Sequence, residues 1–115
     1  MKTSELTGAA LDWAVAMCEG IDHDTAAMNI MFGDDNGWFL AFSTDWAQGG
    51  PIIERERLSV SPYSFNNVNP WVSHSAEGDK TIVGPTPLIT VMRCYVASKL
   101  GNEVDVPELL QGESK

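Results

Sequence analysis

The sequence predicts an α+β fold. A single domain over residues 1–115 places an antiparallel sheet of four to five strands under an N-terminal and a C-terminal helix, an α/β sandwich. Three observations predict this. Apolar residues recur at helical spacing at both ends of the chain, while short apolar runs separated by turn residues fill the middle. The element order is helix, two strands, broken helix, three strands, helix, without the βαβ alternation of a parallel sheet. The composition is 43% hydrophobic with four Trp, which suits a packed core and argues against wholesale disorder.

The first helix is expected over residues 4–19. Leu6, Ala10, Trp13, Ala14 and Met17 fall on one face, and Glu5, Asp12 and Glu19 form an acidic stripe on another. Thr3 or Ser4 can cap its start, and Gly20 sits where a left-handed C-cap belongs. Residues 21–27 read as a loop. The apolar runs 28–32 and 38–42 flank Asp34-Asp-Asn-Gly37, whose Asn-Gly suits a tight turn, so a β-hairpin is expected. The alternating oxygens and terminal Glu of a calcium loop are missing there.

A helix start follows at Ser43, Thr44 and Asp45, with a kink or restart at Pro51 after the Gly49-Gly50 pair. Residues 52–56 suit a short helix. Leu58, Val60 and Pro62 alternate as in a strand, residues 64–70 read as an Asn-rich loop, and residues 71–75 and 81–83 as two more strands around a turn at 77–80. Thr86 caps the last helix, Pro87 fits its first position, and Leu88, Val91, Met92, Tyr95 and Val96 form its buried stripe up to Gly101. Residues 103–115 are expected to pack in part and then fray.

Sixteen acidic residues against seven basic ones leave a net charge of -9. The basic residues are scattered, which argues against duplex nucleic acid. An acidic chain is steered toward a basic protein surface, although charge also serves solubility alone. No apolar run is long enough to span a membrane, and the start does not read as a charged region before an apolar stretch and cleavage site, so neither a secretion signal nor membrane association is expected. Cys18 and Cys94 form no CxxC pair and read as reduced, buried thiols in a cytoplasm. Neither the Asp22-His23-Asp24 run nor His74 has the spacing of a metal or catalytic motif, so no metal, cofactor or catalytic residue is expected.

The segment 43–54 is the richest in functional groups. Gly49 and Gly50 permit close approach of a ligand to the backbone, Trp46 can stack on a ring, Gln48 can read a polar edge, and Asp45 and Glu54 supply carboxylates. The helix start at Thr86, with Arg93 nearby in sequence, can face the same ligand. A purely architectural reading stands beside this one: Asp45 as cap, Trp46 as core, Gly-Gly-Pro as kink. The expected binding set is therefore Ser43, Thr44, Asp45, Trp46, Gln48, Gly49, Gly50, Glu54, Thr86 and Arg93.

Three blocks resemble the NinX-like bacteriophage proteins. They are the opening Met1-Lys-Thr-Ser-Glu-Leu-Thr-Gly-Ala-Ala-Leu-Asp-Trp-Ala-Val-Ala16, the central Ser43-Thr-Asp-Trp-Ala-Gln-Gly-Gly-Pro-Ile-Ile-Glu54, and Gly84-Pro-Thr-Pro-Leu-Ile89 with Met92-Arg-Cys-Tyr-Val-Ala-Ser-Lys-Leu-Gly101. They cover nearly the whole chain in the same order. The resemblance implies a small phage or prophage accessory protein acting in the bacterial cytoplasm, and it supplies no activity, because the family is a domain of unknown function. The expectation is a non-enzymatic protein that binds a host or phage protein. The alternative is a module that captures a small anionic, nucleotide-like ligand and so counters host defence signalling. A homo-oligomer is compatible with either.

Overall fold

The computed structural model describes residues 1–63 and 68–111. Its elements are α1 (Gly8–Cys18), α2 (His23–Phe32), α3 (Trp46–Glu56), β1 (Ser59–Pro62), β2 (Trp71–His74), β3 (Thr81–Gly84), α4 (Pro87–Leu100) and α5 (Glu108–Gln111), after a short 3-10 turn at Thr3–Glu5. Among the described residues the sheet is three-stranded and antiparallel, in the order β1-β2-β3. The mixed α and β character is as expected; the strand number of four to five is not.

The two missing strands are those of the expected hairpin. Residues 28–32 form the second half of α2. The helix begins inside the stretch expected as a loop, because the Asp22 carboxylate accepts from Thr25 N–H at its first turn. Ala26 is buried on its inner face, and His23 packs edge-on against Trp13 of α1. Gly33, with φ 76°, ends the helix. The turn at 34–37 does form, with Asp34 Oδ1 accepting from Asn36 and Trp38 N–H, but it joins a helix to an extended segment outside any ladder.

Helix α4 is the centre of the molecule. It packs on all three strands and, on its other side, on α1. The layers are therefore sheet, α4, then α1 with α2, so only the C-terminal helix covers the sheet directly. This position explains why α4 is buried well beyond its expected stripe, at Thr90, Arg93, Cys94 and Ala97 as well. Val60, Ser73 and Ile82 share one register line, with Pro62, Trp71 and Gly84 on the same side of the pleat. Ser73 and Gly84 are buried on that side, and a Cβ at Gly84 would overlap the Thr90 side chain, so small residues let α4 approach closely.

The local caps of α4 match expectation. Thr86 Oγ1 accepts from Ile89 N–H, Pro87 is the first helical residue, and Gly101, with φ 89°, ends the helix. Helix α1 starts later than expected, after Thr7, because Thr3 is used elsewhere. Thr3 Oγ1 donates to Gly101 O, Thr3 N–H to Asn102 O, and Val104 N–H to Met1 O. The chain start is thus laced to the segment after α4 instead of extending α1. Helix α3 runs through Pro51 without a restart. Its freed acceptor is on exposed Ala47, and Gly50 before the proline eases the steric clash that Pro imposes on its predecessor. The expected loop over 64–70 lies partly outside the described residues. The tail packs through Val104, Val106 and Leu110; its end beyond Gln111 lies outside them.

Candidate functional site

The extended segment between α2 and α3 is the unusual part of this fold. Its backbone has no strand partner, and buried polar groups of that kind need one. Three side chains from three helices supply it. Asn29 of α2 accepts from Leu40 N–H at 2.7 Å and donates to Trp38 O at 3.4 Å. Gln48 of α3 accepts from Ala41 N–H and donates to Phe39 O, both at 2.9 Å. Asp12 of α1 accepts from Ser43 N–H at 2.8 Å. The two amides act in place of a neighbouring strand.

Asp12 is only 7% exposed. Burial pushes its carboxyl up from 3.8 to about 6, against the opposing effect of the Ser43 N–H bond. Ser43 Oγ is buried without a hydrogen-bond partner, yet it lies close enough to favour the ionised carboxylate. The expected acidic stripe on the first helix does not exist, since Asp12 faces inward. Glu19 is engaged as well: Arg55 donates to both its oxygens, at 2.6 and 3.2 Å, and Tyr95 Oη–H at 2.5 Å. Those hydrogen bonds, that from Arg55 foremost, hold the Glu19 carboxyl below its usual range, while burial and then Glu19 raise the Tyr95 hydroxyl. Arg55 also pairs with Glu56, which Lys99 reaches at 3.3 Å. This cluster ties α1, α3 and α4 together. Beside it the Cys18 thiol is pushed up to about 12 by burial and by Glu19, so it is held protonated.

The residues singled out from sequence divide into four groups, with Thr86 in two of them. Asp45, Gln48 and Thr86 hold the backbone: Asp45 Oδ1 caps Ala47 N–H at 3.0 Å and Asp45 Oδ2 accepts from Gln48 at 3.2 Å. Gly49 and Arg93 are interior. A Cβ at Gly49 would strike Leu88 and Phe42 O. Arg93 donates from Nε to Leu6 O at 2.7 Å and from Nη1 to Val83 O at 3.1 Å, bolting α4 to the chain start and to β3. Gly50 and Glu54 are outside, with open space around the Gly50 Cα. Ser43, Thr44, Trp46 and Thr86 do come together. With Pro87, Leu88 and Ile89 they line a groove of about 250 Å³ where α3 and α4 begin. Trp46 is outside the core, contrary to the architectural reading. Both helix ends are already capped by their own side chains, Pro87 has no N–H to offer, and among the described residues no cationic side chain lines the groove.

The surface that sequence reading missed lies next to this loop. Phe32 is 66% exposed, Met28 58%, Trp46 53%, Trp38 50% and Phe39 44%. Met28 and Phe32 are four residues apart on one face of α2. The Phe39 ring lies against Gly33, close enough that a Cβ there would meet it at 2.9 Å. Met28, Gly33, Asp24 and Asp34 share a shallow groove of about 380 Å³. Met28 and Phe32 on α2 and the Phe39 ring against Gly33 thus form an apolar patch with Asp24 and Asp34 beside it, Trp38 follows on adjoining backbone, and Trp46 belongs to the groove where α3 and α4 begin. Apolar residues that pack no core and cluster on one rigid face mark interaction surfaces, and Met, Phe and Trp are the types favoured at their centres. The sequence does contain the signal, five aromatic or Met residues in 28–39, but it was read as the two strands of a hairpin.

Among the described residues no helix is long and apolar enough to cross a membrane. The family model described as Bacteriophage P22, NinX matches residues 2–99. No curated protein matches the chain.

Proposed function

Since the chain belongs to the bacteriophage NinX family, we propose that it is a non-catalytic phage accessory protein that works by binding another protein through the face formed by α2 and the segment after it. The observation that carries this reading is the exposure of Met28, Phe32, Trp38 and Phe39 on adjoining backbone. Such residues cost solubility without contributing to the core, and a partner that covers them recovers the hydrophobic stabilisation. The backbone beneath is fixed by Asn29 and Gln48, so the face is presented ready-made and little ordering cost remains on binding.

The test is site-specific photo-crosslinking in bacterial cells during phage growth. A photoreactive residue at position 32 is expected to yield a discrete protein adduct. One at exposed Glu77, in the turn between β2 and β3, is expected to yield none. Absence of an adduct from position 32, or the same adduct from both positions, overturns the reading.

A further inference from the structure

We infer that the occupant of this face is a basic protein segment, an apolar anchor carrying Lys or Arg beside it; this rests on the binding reading above and names the partner's chemistry. The first argument is the distribution of charge. Between Lys2 and Arg55 the chain contains no Lys or Arg, and this stretch supplies the whole face. Asp24 and Asp34 line the groove with Met28, Asp35 sits in the turn before Trp38, and Asp45 holds Gln48 under Phe39.

The second argument is where the cations are. Arg55 and Lys99 are committed to Glu19 and Glu56, Arg93 is interior, and Lys2, Arg57 and Lys80 lie at the chain start, the end of α3 and the turn before β3. Asp24 and Asp35 have no neutralising partner among the described residues. An apolar centre with an uncompensated acidic rim selects a complementary basic rim and speeds its encounter. A second copy of this chain would set one acidic rim against another. Nucleic acid would meet the same repulsion.

Two amphipathic peptide probes test this, sharing one Leu/Trp face and carrying either Lys or Glu on the other. Their binding to the full chain is read by fluorescence anisotropy at low and high salt. The Lys probe is expected to bind and to weaken with salt. D24N/D35N weakens it roughly two- to thirtyfold, the range for two exposed ion pairs. F32S/W38S weakens it at least about tenfold, as loss of central anchors does. The Glu probe is expected not to bind. Equal binding of both probes, insensitivity to D24N/D35N, or a dimer in sedimentation that F32S/W38S dissociates would each overturn the inference. A crosslinked partner whose attached segment is net acidic overturns it too while leaving the binding reading intact, whereas absence of any adduct from position 32 removes the binding reading itself.

Discussion

Asp12→Asn is expected to stabilise the protein at pH 7 and to remove a defined part of its pH dependence. In the fold the Asp12 carboxyl titrates near 6, against 3.8 in the unfolded chain. That difference corresponds to about 3 kcal/mol spent keeping a buried carboxylate ionised. Asn retains the oxygen that accepts from Ser43 N–H, and its new amide donors lie beside Ser43 Oγ, which has no other partner. Burying those donors costs about 1–3 kcal/mol, so the net gain is about 1 kcal/mol at pH 7. The pH dependence is the sharper readout. A raised acid pKa means the folded state binds the proton first; this stability is fully present below 3.8 and is lost as pH rises through 6. Lowering the pH from 7 to 5 therefore stabilises the wild type by about 1.3 kcal/mol through Asp12 alone. Urea unfolding followed by Trp fluorescence at both pH values measures it. The advantage of D12N is expected to shrink by that amount between pH 7 and pH 5. An advantage that is the same at both values, or grows on acidification, would refute the assignment of a buried, costly carboxylate.

Other residues give independent expectations. Gln48→Ala removes the amide that holds Phe39 and Ala41, and is expected to cost about 1–3 kcal/mol in urea unfolding and to accelerate hydrogen exchange at Ala41. Gly84→Ala forces a methyl group into Thr90 and should cost about 1–3 kcal/mol, relieved only in part when Thr90→Ala is added, because the Thr90 backbone stays close. Glu19→Gln weakens the tie to Arg55 and Tyr95. Because the Glu19 carboxyl is lowered in the fold, its contribution is present above 4.5 and lost as pH falls through its folded value, so E19Q should flatten the acid limb of a stability profile. Cys18, with its thiol raised to about 12, and the buried Cys94 should both resist iodoacetamide at pH 8 until the chain is unfolded, as read by mass spectrometry.

What was legible in the sequence was what adjacent residues decide. Thr86, Pro87 and Gly101 mark both ends of α4 because a cap is a local bond, and the alternation that includes Val60 gives the inward-facing residue of β1, although Pro62 at its end is exposed. The segment 28–32 was not legible as helix, since a short apolar run without alternation fits a buried strand and a helix equally. Asp22 followed by Thr25 was the local sign of the true start. Asp12 and Arg93 show the deeper limit. Their spacing places them on helix faces, but whether those faces meet water depends on α4 lying between the sheet and α1, a tertiary fact. In the segment 43–54 the cap at Asp45 was legible because it is a local bond, whereas Gln48 securing the loop and Trp46 standing outside the core follow from tertiary placement. The exposed face escaped because a composition rich in Met, Phe and Trp looks the same whether it fills a core or covers a surface.

The central claim is that Phe32, Trp38 and Phe39 serve a partner and not the fold. Its most direct test is crosslinking from position 32 in the otherwise native chain and in the same chain carrying Trp38→Ser and Phe39→Ser, with urea midpoints measured on both. The account predicts a discrete adduct that the two substitutions abolish while the midpoint falls only modestly, by the packing of the half-buried Phe39 ring on Gly33. An adduct that survives them, or a midpoint that collapses with them, would contradict it.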